Sequence, residues 1–184
     1  MEIREATEGD FEAIVRLVPS QDELFLVYPK GKHPFTVGQL RELAEVRKEL
    51  TVAVRDGEVI GFANLYDLEL NQWAFIGNVV VSRAFRGGGI GRKLVCHMIR
   101  VAVEKYSLPE VRISVFNENT PALLLYASLH FKPYSIEARD DPSGKRVALV
   151  HMKLSRDEQQ GPIHSVNADA QLRCAPSGSG YAGC

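Results

Sequence analysis

A chain of 184 residues, 45% hydrophobic and 24% charged, holds enough apolar material for one domain with a real core and is short for two. Its 22 Lys and Arg against 23 Asp and Glu leave a net charge of −1, which disfavours nucleic acid and anionic membrane surfaces as partners. No apolar run has membrane-spanning length, Glu2 argues against a secretory signal, and three cysteines without CxxC spacing make the cytoplasm the default compartment, with neither a disulfide framework nor a zinc site.

Residues 2–6 read as a short strand, and a helix is expected from about Glu8, because Phe11, Ile14, Val15 and Val18 share one helical face. Residues 20–35, with Pro29, Gly31 and Pro34, read as irregular. A second helix opens at "PFTVGQL", where Thr36 and Gln39 have capping-box spacing and Phe35 and Leu40 could staple; Leu40, Leu43 and Val46 form its predicted buried stripe. The runs "LTVAV" and "VIGFANLY" flank Asp56-Gly57, a strong hairpin signal. After the loop "DLELNQW", "AFIGNVVV" reads as a strand, and a helix is expected from about Gly89 to Tyr106. "VRISVF" is a further strand. "TPALLLYASLH" is a helix with Pro121 in its first turn, where proline is tolerated, and a last hairpin pairs "KPYSIEAR" with "RVALVHMKL". The order predicts an α/β domain with a single mixed, mostly antiparallel sheet flanked by helices over residues 1–154. Residues 155–184, rich in Gly, Ser and Pro with few large apolar side chains, are expected to be a disordered tail.

The stretch "RGGGIG", residues 86–91, stands between a strand and a helix and carries four glycines. It fits neither a Walker A loop nor a dinucleotide fingerprint, whose third glycine position holds Arg92. What remains is strand, Arg-x-x-Gly-x-Gly, helix. Amides converging at a helix start, with Arg86, Arg92 and Lys93 nearby, suit a pyrophosphate, and Gly87, Gly88, Gly89 and Gly91 remove side chains that would keep it away.

The segment "VVVSRAFRGGGIGRKL" resembles motif A of the GCN5-related N-acetyltransferase (GNAT) superfamily, with Arg86, Gly89 and Gly91 at its signature positions. "NENTPALLLYASLHF" resembles motif B, with Asn119, Ala122, Leu125 and Tyr126 in register. Two positions depart from the family pattern. Gly88 stands where a basic residue is common, and His130 replaces the frequent glycine after the motif B helix.

The resemblance implies the acyl-CoA N-acyltransferase fold and a transfer of acetyl from acetyl-CoA to an amine, of a small molecule or of a protein, by direct attack in a ternary complex. It places the pyrophosphate on the backbone from Gly87 through Gly88, Gly89, Ile90 and Gly91 to Arg92, and pantetheine against main-chain groups of Val79 and Val81. Asn119 would reach CoA, and Tyr126 would protonate the departing thiolate. No metal is implied. The base is not evident: Asn78 could hold a water, while Asp22, Glu23, Asp67 and Glu69 read as solvated carboxylates and His97 and His151 as structural. The acceptor groove is expected at about residues 21–36, with Phe25, Tyr28 and His33, and at the loop Asp67 to Trp73. A homodimer is left open, and the alternative function is a non-catalytic acyl-CoA-binding module of the same fold.

Overall fold

The computed structural model describes residues 1–155, so the predicted tail beyond Ser155, with Cys174 and Cys184, lies outside the described residues. Seven strands form one sheet: β1 (Glu2–Glu5), β2 (Lys48–Arg55), β3 (Glu58–Glu69), β4 (Trp73–Val81), β5 (Glu110–Phe116), β6 (Lys132–Asp140) and β7 (Arg146–Ser155). Their spatial order is β1-β2-β3-β4-β5-β7-β6. Among the described residues only β4 and β5 run parallel, so the mixed, mostly antiparallel sheet expected from the sequence is the one present. The parallel pair needs a crossover, and the helix α4 (Ile90–Glu104) supplies it.

Two apolar clusters fix the layers. On one face α4 and α5 (Thr120–Ser128) bury Ile90, Leu94, Met98 and Tyr126 against Ile76, Val111, Ile113 and Val115. On the other face α1 (Phe11–Arg16), α2 (Gln21–Val27) and α3 (Val37–Val46) bury Phe11, Ile14, Leu24, Leu40 and Leu43 against Val52, Phe62 and Val80. The Asp56-Gly57 hairpin forms as predicted, both residues taking positive φ, +52° and +80°, as the tightest hairpin turns require.

Four expectations change. The stretch read as irregular contains α2, whose N-cap Ser20 accepts the amide of Glu23 at 3.3 Å. The Ser-x-x-Glu spacing was there to be read. Strand β3 runs to Glu69, leaving only a short turn before Trp73 where a seven-residue loop was expected. Val46 is 73% exposed; the residue continuing the stripe of Leu40 and Leu43 by four is Arg47, whose guanidinium lies 4.1 Å from the Tyr66 ring. The capping box of α3 is half made. Thr36 caps Gln39, but the Gln39 amide turns to the carbonyls of Lys32 and Pro34.

What positions the site is a break in the sheet. Strands β4 and β5 pair only from Trp73 with Glu110 to Ile76 with Ile113. Beyond that, β4 carries an irregularity opposite Ala63, between the Asn64–Gly77 and Phe62–Val80 pairs, and Asn78 takes φ +51°. A bulge bends its strand, so β4 leaves β5 and a notch opens between residues 77–81 and 114–116.

Candidate active site

The glycine turn lies at the end of β4. Gly87 and Gly89 have φ +78° and +77°, a region other residues enter at a cost of roughly 1–2 kcal/mol, whereas Gly88 and Gly91 do not need it. Among the described residues, none of the amides from Gly87 to Arg92 donates to a backbone or side-chain acceptor. Gly89 is the N-cap of α4 and, lacking a side chain, caps nothing. Consecutive unspent donors at the positive end of a 15-residue helix suit a phosphate group.

Arg86 is already engaged. Its Nε donates to the Val81 carbonyl at 3.0 Å and its guanidinium meets Glu23 at 3.0 Å, while Arg83 holds the same carboxylate at 2.6 Å. Arg86 therefore ties the turn to the end of β4. Arg92 donates to Ser128 Oγ at 2.9 Å, bracing α4 on α5. Ser82 gives its amide to Ile60 on β3, so the alternation of a strand turns the main chain of Val81, and of Val79 before it, toward the open notch. The Val81 carbonyl is shared with Arg86; the Val79 groups and the Val81 amide face the notch without a partner strand.

A cavity of about 460 Å³ opens at the notch and brings together Val79, Asn119 and Tyr126, but not the turn from Arg86 to Arg92, which lies outside it. Asn119 caps α5 through Oδ1, which accepts the Ala122 amide at 3.3 Å, and its Nδ2 has no acceptor among the described residues. Tyr126 is 5% exposed, its hydroxyl has no hydrogen-bond partner among the described residues, and burial pushes its pKa far above the ordinary tyrosine value. It is a neutral donor at any physiological pH.

The cavity crosses the sheet. Tyr126 comes from the α4–α5 face, whereas Tyr66, Ser114 and His151 come from the opposite face. On that far side the walls are Leu26 to Lys30, the last turn of α2 and the residues after it, with Arg47, Asp67, Glu137 and Arg139. Of the expected groove, residues 26–30, Tyr28 among them, and Asp67 line it. Phe25 stacks on Phe116 at 4.4 Å, Trp73 lies under Arg112 at 3.8 Å, and neither they nor His33 reaches the cavity wall.

Among the candidate bases, Asn78 is a strut: it donates to the Val27 carbonyl at 2.9 Å and accepts from the buried Asn64 at 2.8 Å. Glu23 is consumed by two arginines, and Asp22 and Glu69 lie outside the cavity. His151, read as structural, lines the cavity with Nδ1 at 2.8 Å from Ser114 Oγ. No sequence signal marks that pair, because Ser114 and His151 meet only through the β5–β7 register. Among the described residues, no group of three or more His, Cys, Asp or Glu could hold a metal ion, and no helix is long and apolar enough to cross a membrane.

A sheet split beside a glycine turn of unpaired amides is the architecture of an acyl-CoA transferase. The chain belongs to the acetyltransferase (GNAT) family, which matches residues 14–131. An N-alpha-acetyltransferase of Sulfolobus acidocaldarius is 29% identical over 133 residues, covering 71% of this chain and 79% of that protein. A streptothricin acetyltransferase of Streptomyces lavendulae is 33% identical over 124 residues, covering 67% of this chain and 64% of the relative. The yncA structure of Salmonella typhimurium, determined with acetyl-CoA, superposes with a TM-score of 0.70 at 19% identity, covering 93% of this chain and 99% of that one. The protein is an acetyltransferase of this family, and the catalytic reading stands ahead of the binding-module alternative.

Proposed function

We propose that the enzyme transfers acetyl from acetyl-CoA to the α-amino group of a peptide or protein N-terminus. The observation that carries this reading is the notch itself: it joins a cradle of unpaired amides on one side of the sheet to a cavity open on the other. The donor's pyrophosphate would rest on the amides from Gly87 to Arg92. Its pantetheine would run along Val79 and Val81, and Asn119 Nδ2 would meet it near α5. Acetyl-CoA brings the activated acyl group; the chain binds, orients and moves protons.

Tyr126 lines the cavity at the notch with a hydroxyl that burial holds protonated, which suits it to protonate a departing sulfur. An ordinary thiol has a pKa of ~8.5, so full transfer from a buried tyrosine runs uphill, and the proton is best delivered as the C–S bond breaks. The acceptor enters from the far face, past Tyr28 and Asp67. The α-amine is favoured because two relatives of this chain carry the name N-alpha-acetyltransferase. Its pKa of about 7.7–8.0 also leaves it partly neutral near pH 7, where a lysine amine at about 10.4 is almost wholly charged.

The test is thiol release from acetyl-CoA with three acceptors: a short peptide with a free N-terminus, the same peptide N-terminally blocked but carrying lysine, and streptothricin. Release with the first alone is expected. Release only with a lysine peptide or the antibiotic would overturn the α-amine assignment.

A further inference from the structure

The site as described lacks a group to take the acceptor's proton, and one lies within the cavity. Ser114 is the first residue of β5 past the last pair with β4, and His151 is its cross-strand partner on β7. Both side chains leave the sheet on the face opposite Tyr126, since Val115 and Met152 beside them belong to the α4–α5 core. Ser114 Oγ and His151 Nδ1 are 2.8 Å apart, and Glu137 Oε1 lies 3.4 Å from His151 Nε2. A hydrogen on Nε2 would face that carboxylate, and this tautomer leaves Nδ1 to accept the Ser114 hydroxyl proton. Arg139 in turn holds Glu137, and together they keep its pKa below the usual carboxylate value, Arg139 being the first cause.

Resting on the acetyl-transfer reading, we propose that Ser114 and His151 form the proton-accepting pair of this site, with Ser114 Oγ meeting the acceptor ammonium and passing a proton to His151 Nδ1. The balance closes. The ammonium loses one proton to Ser114 as the serine hydroxyl gives its own to His151, and the imidazolium later releases it to solvent. The neutral amine attacks, the N–C bond forms and the C–S bond breaks. A second proton leaves the nitrogen as the amide forms, equal to the one Tyr126 supplies to the thiolate, so the tyrosine ends protonated. Glu137 is a positioning residue.

Several other charged or titratable groups surround the pair. The Tyr134 ring of β6 lies tilted against the His151 ring at 6.1 Å, and Arg112 of β5 and Lys153 of β7 lie over Tyr134 at 5.3 and 6.0 Å. Tyr66 of β3 is raised in pKa by burial, with the Ser114 hydroxyl as its opposing hydrogen-bond neighbour, and Arg47 covers its ring. Of the carboxylates nearby, Glu110 pairs with Arg112 and Lys153 and Asp67 lines the same cavity beside Tyr66, while Glu137 is the one in contact with the imidazole, at 3.4 Å.

The experiment compares His151→Gln and Ser114→Ala with the full wild-type chain, using a peptide bearing a free N-terminus. At pH 6.5 an α-amine of pKa about 7.7–8.0 is neutral roughly once in 20, so a variant restricted to neutral amine should lose ~10–30-fold in kcat/KM. At pH 9.5 the amine is already neutral, and the deficit should close to within ~2-fold. CoA-induced rise in Tm should be unchanged in both variants. In the wild type without substrate, nitrogen-15 NMR should show the Nε2–H tautomer of His151. A deficit of the same size at every pH, no deficit at all, or an Nδ1–H tautomer would each overturn the proposal while leaving the transfer reading intact. A wild-type chain that releases no thiol with any amine would overturn both. If His151→Gln does not fold, Ser114→Ala decides by the same pH dependence.

Discussion

Tyr126 reaches the cavity with a hydroxyl held by nothing among the described residues and a ring packed 6.1 Å from Phe131. Those two facts separate its roles. Tyr126→Phe keeps the packing, so Tm and CoA affinity should change little, while kcat should fall ~10²-fold or more if the hydroxyl protonates the leaving sulfur. Full activity in stopped assays would return the residue to the core. The glycines divide in the same manner. A side chain at Gly89 faces open space but must adopt φ +77°, so Gly89→Ala should destabilise by ~1 kcal/mol and weaken CoA binding together. A Cβ at Gly91 would make ordinary contacts, 3.5 Å from Leu125 and 3.8 Å from Val81, in a backbone suited to alanine. Gly91→Ala should therefore fold at least as stably as the wild type, and any loss of CoA affinity in calorimetry reads close approach of the ligand directly. Unchanged affinity would show that the pyrophosphate does not press on this position.

Between residues and fold, the elements differ in how openly their sequences announced them. Helix α4 was legible because Ile90, Leu94 and Met98 repeat at helical spacing and all three are buried. Helix α5 was legible from Pro121 in its first turn, its cap by Asn119 emerges only in the structure, and its end at His130, φ +66°, uses the left-handed turn a glycine usually takes. Helix α2 was hidden by its length of seven residues and by the prolines and glycine that follow it. The connection between β1 and α1 was not legible either, because it depends on Asp10. That carboxylate accepts both guanidinium nitrogens of Arg4 at 2.8 Å, and the Thr7 amide and hydroxyl at 2.8 and 2.9 Å. These donors, Arg4 first, hold its pKa well below the usual carboxylate range. A depressed folded pKa adds stability above the unfolded value of ~3.9 and loses it as pH falls toward the folded one. Asp10→Asn should cost about 2 kcal/mol at pH 7, or ~4–8 °C in Tm, and the gap to the wild type should narrow below pH 4 in thermal melts. A gap that is constant with pH would mean the contact is geometric rather than ionic.

At the scale of the whole molecule, the sheet is two blocks, β1–β4 and β5–β7, sharing a joint four pairs long, from Trp73–Glu110 to Ile76–Ile113. The motifs disclosed the donor half of the site because its residues, 79–92 and 119–126, are two contiguous runs of sequence. Of the acceptor half only the rim near Tyr28 and Asp67 was legible. Tyr66, Ser114, Glu137 and His151 belong to four strands, and only the sheet register and the bulge at Asn78 bring them to one cavity. The joint also dictates how a ligand should register in the molecule. A donor lying along Val79 and Val81 would occupy the place of the missing pairs and bridge the two blocks, besides satisfying the amides from Gly87 to Arg92. At a hundred times its dissociation constant, such a ligand adds about 2.7 kcal/mol to the folded state, or ~5–11 °C in Tm. The gain in protection should also be local. Hydrogen exchange with CoA bound should slow at the amides of residues 79, 81 and 87–92, which are free to exchange in the unliganded chain, and at the β4–β5 joint, while the hairpin of β6 and β7 at the far edge should change little. Slowing spread evenly over the sheet, or confined to α2 and β6, would place the ligand away from the notch and remove the basis of the donor site.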